Sequence, residues 1–176
     1  MVKPGRGSLR VRNHDRERAV RSTTDKMLFL RGVSLFSSLS LEQLRVLATH
    51  LQDQHMLSGE VVFAEGDLCQ DLYMIVTGEI SIVKAYRHPA ERVLNTLRSR
   101  DFFGEMALFE RAPRSAAAVA KEEAQLLVLH PDKFKQMIYQ KPEMAFEIFR
   151  ELSARLRRRE EATRRADRER SPVHIE

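Results

Sequence analysis

The sequence predicts an α+β fold: an antiparallel β-roll or jelly roll of about eight short strands, with flanking N-terminal helices and a long C-terminal helix. Three observations indicate this class. Between residues 56 and 130, apolar residues form short runs separated by glycines, a pattern typical of strands and turns. On both sides of that stretch, apolar residues recur with helical spacing. The length of 176 residues suits one domain with appendages.

Helical signals dominate residues 24–52, which we assign to N-terminal helices. Residues 23–25 offer a cap for a helix that starts near Lys26. Ser40 has the character of a second N-cap, and Gln43, three residues later, completes a capping box. An apolar stripe with helical spacing follows at Leu41, Leu44, Leu47 and Leu51.

The β-roll is predicted at residues 56–130. Strands are expected at 61–63, 72–76, 80–83, 93–97, 116–119 and 126–129, and turn glycines fall at Gly59, Gly66, Gly78 and Gly104. The polar connection at 86–91 contains Pro89, which favours an exposed hairpin loop.

Two helices are predicted at residues 131–156. Pro131 suits the first helical position, where a missing N–H costs nothing, and Pro142 opens the second helix in the same way. An apolar face of the second helix follows at Met144, Ile148, Leu152 and Leu156. After Leu156 the stripe stops, so residues 157–176 are predicted to form an arginine-rich helical extension and a tail. The domain itself is placed at residues 23–156.

The segment that is most specific for a function spans residues 103–116, and we call it the cassette. It reads Phe103-Gly104-Glu105-Met106-Ala107-Leu108 and, after a short gap, Pro113-Arg114-Ser115-Ala116. A glycine permits close backbone approach, and a helix start after it offers N–H donors to an anion. A guanidinium binds two phosphate oxygens at once, whereas a carboxylate suits a sugar hydroxyl. The cassette therefore has the parts needed to hold a ribose and a phosphate.

The cassette resembles the phosphate-binding cassette of the cyclic nucleotide-binding domain family. That family includes bacterial catabolite activator proteins, regulatory subunits of cyclic-AMP-dependent kinase and cyclic-nucleotide-gated channels. Further matching motifs are LF at 35–36, LS at 39–40, GEVVF at 59–63, EGD at 65–67, LYMI at 72–75 and GEI at 78–80, so that the resemblance covers roughly residues 28–156.

The resemblance implies a ligand and its binding residues. In the family, the residue at the position of Glu105 holds the ribose 2′-hydroxyl, and the residue at the position of Arg114 holds the cyclic phosphate. The implied binding set is Gly104, Glu105, Met106, Ala107, Arg114, Ser115 and Ala116. A purine 3′,5′-cyclic monophosphate is the implied ligand, with cAMP favoured over cGMP. Ser115 is compatible with cAMP and leaves cGMP open.

The resemblance also implies a switch. The family's final helix serves as a lid over the base, as a dimer seam, or as both. Arg155 and Arg159 lie at the corresponding end of this helix, where either side chain can stack on a purine or simply solvate the helix. Catabolite activator proteins carry hydroxyl residues near the positions of Arg159 and Glu160, so base recognition does not carry over.

Charge is concentrated at the two ends of the chain. The net charge is +5; residues 1–22 carry +5, residues 150–170 carry +4, and the remainder carries −4. Residues 1–22 have little apolar content and are predicted to be a basic flexible tail. The one cysteine, Cys69, permits no intrachain disulfide, which fits a cytoplasmic protein, and it is expected to be a turn residue without a special role. No apolar run approaches the roughly 20 residues of a membrane span.

Two other classes of protein compete with a receptor domain. A transcription factor of this type needs a helix-turn-helix after the long helix, and the segment after Leu156 is too short for one, so no specific DNA partner is expected. The basic tails retain the capacity for non-specific contact with nucleic acid. A metal-dependent jelly-roll enzyme needs clustered histidines, and the six histidines here form no HxH or HxxxH pair. We expect neither catalysis nor a metal.

A domain of this fold that has lost its ligand and serves as an interaction or dimerisation module is the remaining alternative. The presence of both Glu105 and Arg114 favours ligand binding. The expected partners are therefore a cyclic nucleotide and an unidentified protein, or a second copy packed on the C-terminal helix along 144–156.

Overall fold

The computed structural model describes residues 22–106 and 112–170. Within these two ranges, four helices and a short 3₁₀ turn surround eight strands: α1 Thr23–Leu30, the turn Ser34–Phe36, α2 Leu41–Thr49, β1 Gln52–Met56, β2 Val61–Phe63, β3 Leu72–Thr77, β4 Ile80–Lys84, β5 Arg92–Leu97, β6 Phe102–Phe103, β7 Ala117–Ala120, β8 Ala124–Leu129, α3 Pro131–Gln140 and α4 Glu143–Arg170. The predicted tail at 1–22 lies outside the described residues except for Ser22.

The strands form two four-stranded sheets in which all paired strands are antiparallel. One sheet has the order β1-β8-β3-β6 and the other has the order β2-β7-β4-β5. Neighbours in each sheet are mostly distant in sequence, as in a roll whose chain passes back and forth between two layers. The fold class predicted from the sequence is confirmed.

The two N-terminal helices begin at side-chain caps. The Ser40 hydroxyl accepts from the Gln43 amide and the Gln43 side chain accepts from the Ser40 amide, so the predicted capping box is present. Helix α1 has a second capping box, between Ser22 and Asp25. It therefore begins at Thr23 and not near Lys26, because a serine just before the helix satisfies the first amides better than the threonines inside it.

The first strand lies earlier than the sequence pattern indicates. The β-roll begins at Gln52, whereas the prediction placed its start at Met56. Strand β1 reads QDQHM, and of its side chains only Met56 is buried. It is an edge strand held by its ladder to β8, and that backbone pairing leaves no alternation of apolar residues in the sequence.

Strand β3 separates two hydrophobic cores. Its alternate residues point to opposite faces. Leu72, Met74 and Val76 pack against a core that includes the N-terminal and C-terminal helices. Tyr73 and Ile75 face the core between the two sheets. Because both faces are covered, β3 reads as a continuous apolar run, as the sequence analysis noted for residues 72–76.

The C-terminal helices pack on the outer face of this sheet. Pro131 occupies the start of α3, as predicted. In α4, Met144 and Ile148 are fully buried, but Leu156 is 59% exposed, so the predicted apolar face packs on the domain only over its first turns. The helix continues to Arg170. Among the described residues, no helix has both the length and the apolar character that a membrane span requires.

Candidate functional site

Arg114 is the central feature of the cassette region. Its residue is 6% exposed, and its guanidinium points into the roll. The Nη2 atom donates to the Asp71 carbonyl at 2.7 Å, the Nη1 atom donates to the Gly104 carbonyl at 3.1 Å, and the Nε atom donates to the Cys69 Sγ at 3.2 Å. Two predicted site residues, Gly104 and Arg114, therefore lie in direct contact.

The backbone of Arg114 is fixed by the turn between β2 and β3. The Arg114 amide donates to the Asp67 carbonyl at 2.8 Å, and the Gly66 amide donates to the Arg114 carbonyl at 2.9 Å. The Asp67 carboxylate accepts from the Ala64 amide and so stabilises that turn. These bonds direct the side chain inward at the point where the cassette enters β7.

An aromatic cluster lies beneath the guanidinium. The Arg114 Cζ atom is 4.1 Å from the centre of the Phe63 ring and 5.9 Å from that of Tyr73. Tyr73 stacks on Phe103 with ring centres 5.1 Å apart. Such faces attract a cation, and they exclude the water that would otherwise solvate the guanidinium. Burial raises the pKa of the Tyr73 hydroxyl, and the neighbouring Asp71 carboxylate adds to that rise.

Within residues 22–106 and 112–170, no carboxylate balances the charge of Arg114. The ion pairs found between described residues do not include it. Its acceptors are two carbonyl dipoles and a thiol, and its neighbours are aromatic rings. A buried charge without a counter-charge is costly, so this arrangement is suited to an anion.

Gly104 is required by the close approach of Arg114. Its φ is +84°, which lies in the left-handed region. A Cβ atom at this position would lie 2.6 Å from Arg114 Nη1 and 2.7 Å from the Asp71 carbonyl oxygen, both far inside contact distance. Any side chain here would push the guanidinium out of its place.

The other predicted binding residues lie around this pair to different extents. Glu105 is partly buried and directly follows Gly104, whereas Met106 is 58% exposed. Ala116 is buried next to the start of β7, and Ser115 is exposed. Ala107 lies outside the described residues. Arg155 and Arg159 are positions of α4 whose side chains are outside the described part of the helix.

A second cation fixes the segment that follows Arg114. Lys84 Nζ donates to the Ser115 carbonyl at 2.8 Å and pairs with a Glu65 oxygen at 2.6 Å. The other Glu65 oxygen accepts from the Ala85 amide. The hydrogen bond from Lys84 lowers the pKa of Glu65 below its ordinary value, and the Ala85 bond adds to this effect. The first contact ties the end of β4 to the cassette, and the two Glu65 contacts tie it to the turn after β2.

Several residues of the site escaped the sequence analysis. Cys69 was expected to have no special role, but its sulfur accepts the Arg114 Nε hydrogen bond. Asp71 contributes a backbone carbonyl, which any residue type would supply, so composition gives no signal for it. The GD pair at 66–67 and the buried Tyr73 were noted only as family motifs, and their contacts with Arg114 give the physical reason for them.

The described residues hold no group of three or more His, Cys, Asp or Glu side chains arranged to bind a metal ion.

Three comparisons relate this chain to known proteins. The family model described as "Cyclic nucleotide-binding domain" matches residues 53–141. The cyclic AMP receptor protein of Thermus thermophilus is 32% identical over 128 residues, which is 73% of this chain and 59% of that protein. The chain thus spans about three fifths of the length of this curated relative.

Solved structures give the same result. The regulatory domain of Toxoplasma gondii protein kinase A, crystallised with cAMP, is 29% identical, with a TM-score of 0.60 over 65% of this chain and 44% of that one. A cyclic nucleotide-binding domain from Methylobacillus flagellatus has a TM-score of 0.71 over 88% of this chain and 86% of that one. At 21% identity, the latter shows the shared fold alone.

Proposed function

The chain belongs to the cyclic nucleotide-binding domain family, and on that premise we propose that it is a receptor for a purine 3′,5′-cyclic monophosphate, with cAMP preferred over cGMP. The binding residues are Gly104, Glu105, Met106, Ala107, Arg114, Ser115 and Ala116. The relative crystallised with cAMP supports the class of ligand.

The buried charge of Arg114 carries this proposal. The guanidinium lies on aromatic faces, donates to two carbonyls and pairs with no carboxylate among the described residues. A cyclic phosphate supplies the missing negative charge. The resulting hydrogen bonds are charge-assisted and stronger than those to neutral carbonyls.

Glu105 is proposed to accept a hydrogen bond from the ribose 2′-hydroxyl. A carboxylate cannot face the phosphate without repulsion, and it lies one residue after Gly104, which contacts the arginine. We expect Glu105→Ala to lower the affinity for cAMP by about 1 kcal/mol and to leave 2′-deoxy-cAMP binding almost unchanged. Calorimetry with both ligands measures this difference. An equal loss for both would rule out the ribose contact.

Movement of the C-terminal helix is the proposed output. A ligand that contacts both the cassette and α4 stabilises the closed arrangement relative to the open one. Arg155 and Arg159 are the proposed base-stacking positions on that helix. Without contacts that differ between the two arrangements, ligand binding would produce no switch.

A dimerisation role for α4 has its own support. Phe146 is 77% exposed, Phe149 52% and Leu156 59%, and their spacing places them along one side of the helix. Met144 and Ile148 pack on their own domain, so a partner would contact this second side, which shares only Leu156 with the face predicted along 144–156. A second copy of the chain is the proposed partner, and sedimentation of the Phe146→Ser variant against the unsubstituted chain tests it.

Ligand binding itself is tested by thermal shift followed by calorimetry. A ligand that binds the folded state raises the melting temperature, and the stabilisation grows with the logarithm of the ligand concentration relative to Kd. We expect cAMP to stabilise the protein more than cGMP, and cyclic dinucleotides to have no effect. If none of these ligands shifts the melting temperature, the chain is an interaction module that retains the fold without the ligand.

A further inference from the structure

Asp71 uses two different groups for two different contacts. Its backbone carbonyl accepts from Arg114 Nη2 at 2.7 Å. Its carboxylate oxygen Oδ1 lies 2.6 Å from His130 Nδ1. The Asp71 side chain is 22% exposed and the His130 side chain 40%, so this pair is partly shielded from water. Asp71 therefore lies between the Arg114 guanidinium and the His130 imidazole and contacts both.

The sheet places these two residues side by side. In the antiparallel ladder of β3 and β8, Leu72 pairs with Leu129, and Asp71 and His130 are the next residues beyond that pair. Their side chains meet where β3 begins and β8 ends. The contact thus depends on a register that both hydrophobic cores enforce.

His130 is also the residue from which the C-terminal helices start. It is the N-cap of α3, with extended backbone angles of −73° and 144°, as expected before Pro131. Its side chain makes no capping bond to the helix amides. The imidazole is directed to Asp71, although serine, threonine, aspartate or asparagine would cap the helix at this position.

We propose that Asp71 and His130 form a positioning pair that couples the Arg114 guanidinium to the start of α3. The carboxylate–imidazole bond fixes the Asp71 backbone, and the Asp71 carbonyl in turn holds Arg114 ready for the phosphate. The same bond transmits a shift of Arg114 to the first turn of α3. The inference deepens the proposed function and rests on it.

The test compares cAMP affinities in a double-mutant cycle. Asp71→Ala removes the carboxylate and keeps the carbonyl that Arg114 uses, whereas His130→Ala removes the imidazole. We expect each variant to weaken cAMP binding roughly three- to tenfold in calorimetry, because the guanidinium loses its preorganised position. The double variant is expected to bind cAMP no more weakly than the single variant with the lower affinity, since both single changes break the same Asp71–His130 bond.

Two further variants separate positioning from a general loss of structure. His130→Asn places an amide donor near the position of Nδ1; with Asp71 as its acceptor in preference to the helix amides, it is expected to restore cAMP affinity to within about twofold. His55→Ala is the matched control. His55 forms a similar pair with Glu123, at 2.7 Å, but that pair is exposed and makes no contact with Arg114. Its loss is expected to leave cAMP affinity unchanged.

Hydrogen exchange gives a readout in the helix itself. Addition of cAMP is expected to slow amide exchange in residues 131–140 of the unsubstituted protein, and this response is expected to be absent in His130→Ala at saturating cAMP. If the alanine variant does not fold, His130→Asn and Asp71→Ala supply the same comparison, because the first keeps the bond and the second removes it.

The outcomes distinguish the inference from the proposed function. Normal cAMP affinity in Asp71→Ala and His130→Ala overturns the positioning pair and leaves the receptor role intact. Additive losses in the double variant overturn it as well, because independent effects do not pass through a shared bond. If the unsubstituted protein binds neither cAMP nor cGMP, the receptor role fails and the inference fails with it.

Discussion

Lys26 and Arg114 are the two charged residues that the structure buries within its described part, and they are stabilised in opposite ways. Lys26 Nζ pairs with an Asp53 carboxylate oxygen at 2.6 Å and donates to the Leu51 carbonyl at 2.9 Å. Arg114 has carbonyl and thiol acceptors and aromatic neighbours, and no carboxylate in the described part of the chain pairs with it.

The difference distinguishes a structural cation, Lys26, from the cation that we propose to bind the ligand, Arg114. The Lys26 contacts join α1 to the start of β1, and its charge is neutralised within the protein. Arg114 has no carboxylate partner among the residues that the structure describes, and it lies beside a glycine that admits close approach. A protein that buries such a charge stabilises it fully only when an anion arrives. On this comparison, substitution of Lys26 should affect stability, and substitution of Arg114 should affect ligand binding.

The largest expected effect is that of Arg114→Ala on ligand affinity. Loss of one partner of a buried charge pair costs about 2–5 kcal/mol, so cAMP affinity should fall by about thirtyfold or more. Isothermal calorimetry at one salt concentration measures the change. An unchanged Kd would show that the phosphate is held elsewhere.

Lys26→Met is the matching change at the structural cation. The Leu51 carbonyl loses its donor, and the free energy of unfolding should fall by about 1–3 kcal/mol. Denaturant titration measures this loss. The affinity for cAMP should remain within about twofold of the original, and a tenfold loss of affinity would erase the distinction between the two cations.

Gly104→Ala tests the same comparison through the backbone conformation beside Arg114. The left-handed angle costs about 1–2 kcal/mol for a residue with a Cβ, and the Cβ also crowds Arg114. Gly59→Ala is the control, because Gly59 has a similar φ of +83° with no heavy atom within 4 Å of the added Cβ. Both variants should lose stability in denaturant titration, and only Gly104→Ala should lose cAMP affinity. Equal affinities would mean that Arg114 does not need this space.

The smallest expected effect concerns Glu65. Its pKa is lowered from the ordinary 4.5, first by the Lys84 hydrogen bond and then by the Ala85 amide. A carboxyl with a lowered folded-state pKa stabilises the protein above its unfolded-state pKa, and that stability is lost as the pH falls through the folded-state value. Glu65→Gln should therefore be slightly less stable than the unsubstituted chain at pH 7, and the difference should shrink as the pH falls below 4.5 and vanish once the pH is below the lowered folded-state pKa.

Denaturant midpoints over this range of pH follow the Glu65 contribution. If the difference in stability between the two proteins stays constant down to low pH, the carboxylate does not hold Lys84. The contact between Lys84 and Ser115 then does not depend on Glu65.

Local signals made the helices predictable from the sequence. The capping box of Ser40 and Gln43 and the position of Pro131 depend on residues within one turn, and the structure has both. Strand β1 was not predicted, because its backbone pairs with β8 while its polar side chains face outward. A pattern of apolar residues cannot report a strand that is held mainly by its ladder.

A smaller part of the candidate site was predictable from the sequence. The cassette motif located Gly104 and Arg114, and the structure brings them into contact. The inward direction of Arg114 depends on backbone bonds from Gly66 and to Asp67, which lie in a distant turn. The Asp71 carbonyl and its link to His130 depend on strand register. Such contacts arise from tertiary structure, so residue type alone does not reveal them.

The most direct test of the central claim is a calorimetric comparison of cAMP with adenosine, which lacks the phosphate, in the unsubstituted chain and in Arg114→Ala. We predict that the unsubstituted chain binds cAMP at least about tenfold more tightly than adenosine, and that this preference disappears in the variant because the guanidinium no longer meets the phosphate. A preference for cAMP that persists undiminished in Arg114→Ala would contradict the account.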